Sequence, residues 1–177
     1  VKNYSGDIMN FEMAAEMTHA AGIPVASVLV DDDVAVRDSL YTQGRRGVGT
    51  TVLLEKICGA AAEQRYPLER LLDLGRRVAA AGRSMGMALT PCITPGSGEP
   101  SFEIGDDEME IGIGIHGEPG RYREPLGPAS QVVERLATAI VEDLPYESGD
   151  NVLAFVNGMG GTPLIELYAM YGDVAAL

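Results

Sequence analysis

The sequence predicts an α/β fold of three layers, α/β/α, with mostly parallel sheets and two α/β subdomains. Short apolar segments typical of buried strands alternate with longer segments whose apolar residues fall at helical spacing. Glycine and proline, 22 and 10 of the 177 residues, stand between these segments, where turns are expected. Because strands that alternate with helices pair in parallel, we expect the helices to cover the faces of the sheets.

The first half of the chain is predicted to contain two strands and three helices. The strands are expected at residues 1–4 and 25–30, and the helices at 8–21, from 50 or 51 onward, and at 67–81. Gly22 suits a helix end, Thr50 or Thr51 can cap the second helix, and Pro67 suits a first helical turn. A boundary near Gly82 then separates subdomain 1–83 from subdomain 84–177.

The second half repeats the alternation of strands and helices. We predict strands at residues 85–89, 108–116 and 151–156, and helices at 130–142 and 164–171. A loop rich in proline and glycine spans 90–100, and another loop contains Pro119, Pro125 and Pro128. Thr162 is a plausible helix cap, with Pro163 at the first helical position.

Composition and charge disfavour several classes of function. The formal net charge is −13, which repels nucleic acid and anionic membranes. The apolar runs are short and interrupted by glycine, so we expect no transmembrane span, and no secretion signal is visible. Cys58 and Cys92 show neither metal-ligand spacing nor a disulfide framework. These features favour a cytoplasmic protein with reduced thiols and no metal site.

His116 is the strongest candidate for a functional residue. Isoleucine recurs at every second position from Ile111 to Ile115, and Gly112 and Gly114 leave the opposite strand face bare. A histidine at a strand end, directly before a turn, occupies the place where α/β proteins commonly carry their chemistry. The alternative is a turn histidine without a role. His19, near the end of the first predicted helix, is expected to face water.

Asp7 and Lys2 are the candidates in the first half of the chain. Asp7 opens a predicted helix, so its carboxylate can act as an N-cap, point at a ligand from the sheet edge, or do both. Lys2 lies at the predicted strand end and could point into the same crevice. A solvated surface lysine is the alternative.

Three further segments have structural interpretations that compete with functional ones. Adjacent carboxylates at Asp31, Asp32 and Asp33 diverge, so a helix start or a solvated turn is favoured over a metal site. Arg45 and Arg46 could hold a phosphate or form surface ion pairs. The loop 158–163 lacks the spacing of known nucleotide-binding motifs, so a tight structural turn is favoured there.

Several segments, in this order and spacing, resemble the substrate-binding subunit of dihydroxyacetone kinases. The resemblance covers essentially all 177 residues, and its most specific motif is the one around His116. The matching segments are Lys2-Asn3-Tyr4-Ser5-Gly6-Asp7, Asp31-Asp32-Asp33-Val34-Ala35-Val36, Gly44-Arg45-Arg46-Gly47, Lys56 with Gly59-Ala60-Ala61-Ala62-Glu63, Pro100-Ser101-Phe102, Gly112-Ile113-Gly114-Ile115-His116-Gly117-Glu118-Pro119-Gly120, and the loop 157–163 ahead of Glu166-Leu167-Tyr168.

The resemblance implies a substrate and a role for each candidate residue. It implies that the chain binds dihydroxyacetone and that His116 bonds covalently to the carbonyl carbon through a ring nitrogen, forming a hemiaminal. Asp7 matches the aspartate that hydrogen-bonds the substrate hydroxyl and acts as its base. Lys2 matches a lysine that contacts the substrate. On this assignment residues 1–83 are the second part of a first α/β domain, and residues 84–177 are a second domain carrying the covalent histidine.

The resemblance also implies partners and a missing part. The family's chain begins earlier, with a Gly-Gly-Gly-Ser-Gly-His-Glu-Pro segment that contributes a further catalytic histidine, so we expect this piece alone to be inactive. It implies a phosphoryl donor, ATP with Mg²⁺ or bound ADP recharged by a phosphotransferase system, on a separate helical domain or subunit, and no cofactor on this chain. A homodimer is the family's habit. The alternative is a non-catalytic ketone-binding or regulatory paralogue.

Overall fold

The computed structural model describes residues 1–36, 44–93, 96–159 and 161–177. The chain forms two compact units, Val1–Ser84 and Met85–Leu177. The first unit contains three helices, α1 (Ser5–Ala20), α2 (Thr50–Glu63) and α3 (Leu68–Ala81). The second contains strands β1 (Met87–Ala88), β2 (Glu108–Ile111) and β3 (Tyr122–Pro125), and helices α4 (Ala129–Val141) and α5 (Leu164–Ala176). The fold is therefore mixed helix and sheet.

Helices α2 and α3 pack against each other in the first unit. Gly75 of α3 is buried, and a Cβ atom there would lie 3.0 Å from the Val28 Cγ2 and 3.4 Å from the Cys58 Sγ. Because glycine has no side chain, α3 can approach Cys58 of α2 and Val28 this closely. A small residue at this position sets the spacing between the helices.

Parallel pairing in the first unit occurs as single bridges between extended segments. Lys2 pairs with Val30, and Asp33 pairs with Ser84, both in parallel. The Asn3 N–H donates to the Val30 carbonyl at 2.9 Å. These bridges place the segments around Lys2, residues 30–33 and Ser84 side by side, as in a parallel sheet. In the described residues none of these segments extends into a strand.

An ion pair between Asp33 and Arg46 lies at the centre of these segments. Both residues are buried, with Arg46 0% and Asp33 2% exposed. The Arg46 Nε and Nη2 each lie 2.7 Å from the Asp33 Oδ2, and the Asp33 Oδ1 accepts the Ala35 N–H at 2.9 Å. Burial raises the pKa of Asp33, while the Arg46 guanidinium opposes that rise. Each charge thus depends on the other to be tolerated inside the unit.

The neighbouring Asp32 supplies the cap of α2 from a distant part of the chain. Its Oδ1 accepts the Val48 N–H at 2.6 Å, and its Oδ2 accepts the Thr50 N–H at 2.9 Å and the Ser84 hydroxyl. The first N–H groups of a helix lack partners within the helix, and an anion there is also favoured by the helix dipole. The predicted cap at Thr50 or Thr51 is wrong: Gly49 precedes the helix and no side chain at that position caps it.

The sheet of the second unit is antiparallel, in the order β1-β2-β3. Ile111 of β2 pairs with Met87 of β1 and with Tyr122 of β3. Met109 and Ile111 are buried with Val132 of α4. The partly buried residues packed against this core are Met85, Met87, Leu136 and Met170. Helix α5 joins the core through Met170 and packs along α4.

The strand predictions hold only in part. The strand expected at 108–116 ends at Ile111, and the one expected at 85–89 shrinks to Met87–Ala88, while β3 was not predicted. Segments 1–4, 25–30 and 151–156 are extended or irregular, with one bridge at Lys2–Val30 and none described in 151–156. An apolar pattern indicates which side chains are suited to burial, but a strand also requires a hydrogen-bonding partner. The only sheet in the described residues is antiparallel, whereas mostly parallel sheets were predicted.

The helix predictions are confirmed at every predicted position, with shifted ends. Helix α1 begins at Ser5, earlier than residue 8, and α5 continues to Ala176. Residues 37–43, which precede the second predicted helix, fall outside the described residues, as do residues 94, 95 and 160 of the predicted loops. No helix in the described ranges has the length and apolar character needed to cross a membrane.

The ion pair of Asp33 with Arg46 yields a stability prediction. We expect Asp33→Asn, in the natural protein that contains this chain, to lower the free energy of unfolding by about 3–5 kcal/mol, because Arg46 is left buried without its counter-charge. Asp31→Asn is the matched control, since Asp31 is exposed, and should change it by less than about 0.5 kcal/mol. Urea unfolding at neutral pH measures both variants, and equal midpoints would contradict the assignment.

Candidate functional site

His116 lies in a loop that leaves the sheet after Ile111 and returns to it at Arg121. Gly112 has a φ of 81°, a left-handed conformation that favours glycine. The Gly112 N–H donates to the Gly86 carbonyl, and the Arg121 N–H donates to the Ile111 carbonyl, both at 2.7 Å. The expected position of His116 at a strand end is therefore wrong. The strand stops earlier because the backbone turns at Gly112, and the histidine is carried on the loop.

The carboxylate of Glu118 holds His116 at two atoms. Its Oε2 accepts the His116 backbone N–H at 2.9 Å, and its Oε1 lies 3.0 Å from the His116 Nδ1. The Glu118 side chain is 7% exposed and the His116 side chain 57% exposed. The ring is thus fixed on one edge by a buried carboxylate, while more than half of the side-chain surface faces solvent.

Backbone hydrogen bonds close the loop around this pair. The Gly114 N–H donates to the Glu118 carbonyl, and the Gly117 N–H donates to the Gly114 carbonyl, both at 3.0 Å. Gly117 has a φ of 82°. These bonds fold the segment 114–118 into a tight turn with His116 at its tip.

A second buried carboxylate, Glu110, fixes the returning end of the same loop. Its Oε1 accepts the Gly120 N–H at 2.9 Å, and its Oε2 lies 2.6 Å from the Arg123 Nε. A Cβ atom on Gly120 would collide with the Ile111 carbonyl oxygen, so only glycine fits where the loop rejoins the strand. The loop is therefore held by one carboxylate at its tip and by another at its base.

The segment 101–102 packs against the tip of the loop. A Cβ atom on Gly117 would lie 2.6 Å from the Ser101 Oγ and 3.5 Å from the Phe102 Cδ1. The Arg123 guanidinium lies 6.0 Å from the centroid of the Phe102 ring. The segments Pro100-Ser101-Phe102 and 112–120, which both resemble the kinase subunits in sequence, are thus neighbours in the second unit.

Lys2 and Asp7 lie at the start of the first unit, on either side of the entry into α1. Both residues are partly buried, and Asp7 is in the first turn of the helix. The residue that precedes the helix is Tyr4, and its side chain makes no capping hydrogen bond. The N-cap interpretation of Asp7 is wrong, because the helix begins two residues earlier, at Ser5. Its carboxylate keeps a favourable place near the positive end of the helix dipole.

Buried neighbours anchor the backbone between these two residues. Asn3 is buried, and its side-chain Nδ2 donates to the Arg45 carbonyl at 2.6 Å. A Cβ atom on Gly47 would lie 2.6 Å from the Asn3 N and 2.8 Å from the Lys2 Cα. The Lys2 backbone therefore lies directly against Gly47, so the buried segment around Arg46 fixes the position of the Lys2 backbone.

The structure groups the candidates into two sets. Lys2 and Asp7 belong to the first unit and His116 to the second, and each set is fixed within its own unit. A cavity of about 430 Å³ runs along α2 and α3 in the first unit. Its lining includes Ile57, Tyr66, Arg70 and Leu74, but neither Lys2 nor Asp7.

The favoured interpretations of the acidic and basic segments need correction. Asp32 and Asp33 are buried and hydrogen-bonded inside the unit, while Asp31 alone matches a solvated turn. Arg46 forms a buried ion pair, not the surface pair or phosphate site considered from the sequence. In the described residues no group of three or more His, Cys, Asp or Glu side chains could hold a metal ion.

Sequence reasoning missed the roles of Glu118 and Glu110. Charged residues in strands and turns are ordinarily solvated, so neither carboxylate stands out in the sequence. The available signal was the spacing of Glu118, two residues after a histidine and flanked by glycine and proline. A side chain at that distance can form a hydrogen bond with the backbone of its own turn, but only the folded loop shows that it does.

The family model described as the Dak1 domain matches residues 1–177. The chain therefore belongs to the Dak1 domain family. This is the family indicated by the sequence motifs, and that assignment is confirmed.

Curated relatives extend the match. The chain is 52% identical, over all 177 residues, to the "PTS-dependent dihydroxyacetone kinase 1, dihydroxyacetone-binding subunit DhaK" of Listeria innocua, of which it covers 54%. It is 45% identical over 195 residues to the "PEP-dependent dihydroxyacetone kinase, dihydroxyacetone-binding subunit DhaK" of Escherichia coli, with 97% of this chain and 55% of that protein covered. The chain thus spans about half the length of these relatives.

Two solved structures share the fold over 99% of the chain. The dihydroxyacetone kinase of C. freundii superposes with a TM-score of 0.86 at 32% identity, with 32% of that protein covered. The "Dihydroxyacetone kinase operon co-activator Dha-DhaQ" superposes with a TM-score of 0.89 at 30% identity, with 55% covered. A kinase and a co-activator of a kinase operon therefore share this architecture.

The contact between Gly117 and Ser101 yields a second prediction. We expect Gly117→Ala in the natural protein to lower the free energy of unfolding by about 2–4 kcal/mol, since it combines the left-handed backbone penalty with overpacking against Ser101. Gly98→Ala is the matched control, because Gly98 has a φ of 66° but no atom within 4 Å of its Cβ position. It should show only the backbone penalty, about 1–2 kcal/mol.

Urea unfolding measures both variants, and the NMR signals of His116 report the loop. They should shift in Gly117→Ala and stay in place in Gly98→Ala. If the two variants lose the same stability and neither moves His116, the packing of segment 101–102 on the loop does not hold.

Proposed function

We propose that this chain is the dihydroxyacetone-binding part of a dihydroxyacetone kinase, a phosphotransferase that acts on an alcohol group. The observation that carries the proposal is His116: its ring is held by a buried carboxylate and its side chain is mostly exposed. Such a ring is preorganised, so binding a ligand costs it little further conformational entropy. Membership of the Dak1 family, with two relatives named as dihydroxyacetone-binding subunits, supports the choice of ligand.

The binding step we propose is covalent. A ring nitrogen of neutral His116 adds to the carbonyl carbon of dihydroxyacetone, the π electron pair moves to the carbonyl oxygen, and that oxygen takes up a proton from solvent. The other ring nitrogen releases its proton, so the product is a neutral hemiaminal. Polyols such as glycerol have no carbonyl carbon to attack, and the step therefore selects a short ketone.

Asp7 and Lys2 are proposed to act on the substrate from the first unit. Asp7 accepts the proton of the substrate hydroxyl as phosphate is transferred to its oxygen, and Lys2 contacts the substrate. The partial burial of both side chains and the fixed backbone of Asn3 support a positioned pair. The role of the buried segment around Arg46 is then to hold the Lys2 backbone in place through Gly47.

The phosphoryl donor is proposed to lie on a partner. In that arrangement ATP with Mg²⁺, or bound ADP recharged by a phosphotransferase-system protein, sits on a helical nucleotide-binding domain or subunit and this chain binds no cofactor. One related structure is titled as the C. freundii kinase with AMP-PNP and Mg²⁺, and three relatives are named as PTS-dependent. We further propose a homodimer located in the cytoplasm and acting in glycerol metabolism.

The intact protein is proposed to complete the three-layer α/β/α fold with parallel sheets. Residues 1–83 then form the second part of a first domain with the Lys2–Asp7 turn, and residues 84–177 form the domain of His116. The parallel bridges at Lys2 and Asp33 are single steps of such a sheet. Val152 and Leu153, 67% and 73% exposed, are apolar enough to join one. On this view the piece alone is inactive.

A non-catalytic ketone-binding regulator is the second candidate. It is favoured by one observation, the similarity to a kinase-operon co-activator over 99% of this chain. A regulator needs the ketone to bind but needs no base to assist phosphate transfer. Asp7 therefore separates the two candidates.

The covalent step is tested with dihydroxyacetone labelled with ¹³C at its carbonyl carbon. In the natural protein that contains this chain, we expect a bound signal of a tetrahedral carbon in place of the ketone signal. His116→Ala should remove the bound signal entirely, because the nucleophile is gone. His19→Ala is the matched control, since His19 is exposed on α1, and should keep it. A bound tetrahedral carbon that survives His116→Ala would refute the role of His116.

The base is tested by turnover with the helical partner and its phosphoryl donor. We expect Asp7→Asn to lower kcat by about 10²–10⁴-fold, the usual contribution of a general base, and to leave the tetrahedral adduct in place. Glu12→Gln, an exposed acid of the same helix, is the control and should leave kcat unchanged. An adduct without any turnover in the unmodified protein would favour the regulator instead.

A further inference from the structure

We propose that Glu118 is a positioning residue that selects the reactive tautomer of His116. The inference rests on the proposed function, because it explains how the histidine is prepared for addition to a carbonyl. It concerns a carboxylate that does not itself bond to the ketone. Its basis is the pair of contacts that Glu118 makes to the backbone and to the ring of the same residue.

The geometry determines which ring nitrogen carries the proton. An ionised carboxylate can only accept hydrogen bonds. With the Glu118 Oε1 at 3.0 Å from the Nδ1, the Nδ1 must be the protonated nitrogen of neutral His116. The lone pair that can attack a carbonyl carbon then belongs to the Nε2. The hydrogen bond that one ring nitrogen of a histidine makes commonly determines the protonation state of the other.

The same contact also stabilises the positive charge that develops on the ring during addition. When the Nε2–C bond forms and the carbonyl π pair moves to oxygen, the ring becomes an imidazolium until the Nδ1 proton leaves. The buried Glu118 carboxylate, 7% exposed, lies next to that charge. Charge-assisted hydrogen bonds are stronger than neutral ones, so the bond strengthens as the adduct forms. The oxygen takes its proton from solvent, and the Nδ1 proton can leave by way of Glu118.

The neighbouring Glu110 shows what a purely structural carboxylate does in the same loop. It accepts the Gly120 N–H and pairs with Arg123, and within the described residues its carboxylate oxygens do not contact the imidazole. Both side chains are buried, with exposures of 8% for Glu110 and 7% for Glu118. A comparison of the two separates holding the loop from directing the ring.

The test begins with the ¹⁵N signals of His116 in the natural protein without ketone. We expect the Nδ1–H, Nε2-lone-pair form to dominate in the unmodified protein and in Glu110→Gln. In Glu118→Gln we expect a shift toward the Nε2–H form that free histidine prefers, because the amide can donate to the Nδ1 as well as accept from it. Dominance of the Nε2–H form in the unmodified protein would overturn the inference.

Binding of ¹³C-labelled dihydroxyacetone provides the second readout. We expect Glu118→Gln to weaken formation of the adduct by about 10- to 100-fold, as for the loss of one hydrogen bond to a charged group. Glu110→Gln should weaken it less than about threefold, a change below 1 kcal/mol. Equal adduct formation in Glu118→Gln and the unmodified protein would refute the role of Glu118.

The two readouts keep this inference distinct from the proposed function. The tautomer is measured without ketone, so an unmodified protein that forms no adduct refutes the proposed function and leaves the tautomer result to decide on Glu118. An adduct that forms on an Nε2–H histidine refutes the role of Glu118 alone. If Glu118→Gln fails to fold, the ¹⁵N signals of the unmodified protein and of Glu110→Gln still decide the tautomer.

Discussion

Buried carboxylates must find hydrogen-bond donors, and the loops of both units are built around this requirement. A carboxylate removed from water is strongly destabilising unless backbone N–H groups or a cation take the place of the solvent. Asp32 and Asp33 meet the requirement in the first unit, and Glu110 and Glu118 meet it in the second. In each pair one member contacts an arginine, while the other accepts at least one backbone N–H and contacts one side chain. The loops are consequently fixed by specific bonds as well as by packing.

The candidate functional residues lie next to these fixed loops. Gly47, one residue after the buried Arg46, supports the backbone of Lys2, and Glu118 supports the ring of His116. A side chain on a rigid support presents its reactive atom in one orientation, which is what a covalent or acid–base step requires. The glycines serve the same end, because Gly47 and Gly120 allow backbones to meet where any side chain would collide. The motif that resembles the kinase subunits thus also fixes the backbone of its own loop.

The sequence located the candidate residues better than it described their surroundings. His116 was found from a periodic strand that ends among glycines, and it does lie in a glycine-rich turn. Its displacement from the strand follows from the left-handed Gly112, which no apolar pattern records. Asp32 and Asp33 were expected in a solvated turn because charged residues are rarely buried, yet Arg46 and the start of α2 make their burial possible. Arg46 lies 13 residues from Asp33 along the chain, and the Val48 N–H lies 16 residues from Asp32.

The sequence by itself predicted the helices of the described residues, singled out His116 as the leading candidate and indicated membership of the Dak1 family. Helices follow from local periodicity, since their hydrogen bonds join residues four apart, and the family follows from motifs whose order and spacing the chain preserves. The tertiary structure alone decided the strand ends, the antiparallel order of β1, β2 and β3, and the partners of the buried carboxylates. The strand order and the arginine partners of Asp33 and Glu110 depend on contacts between segments distant along the chain, and the contact of Glu118 with His116 depends on the fold of its loop. Local patterns specify none of these.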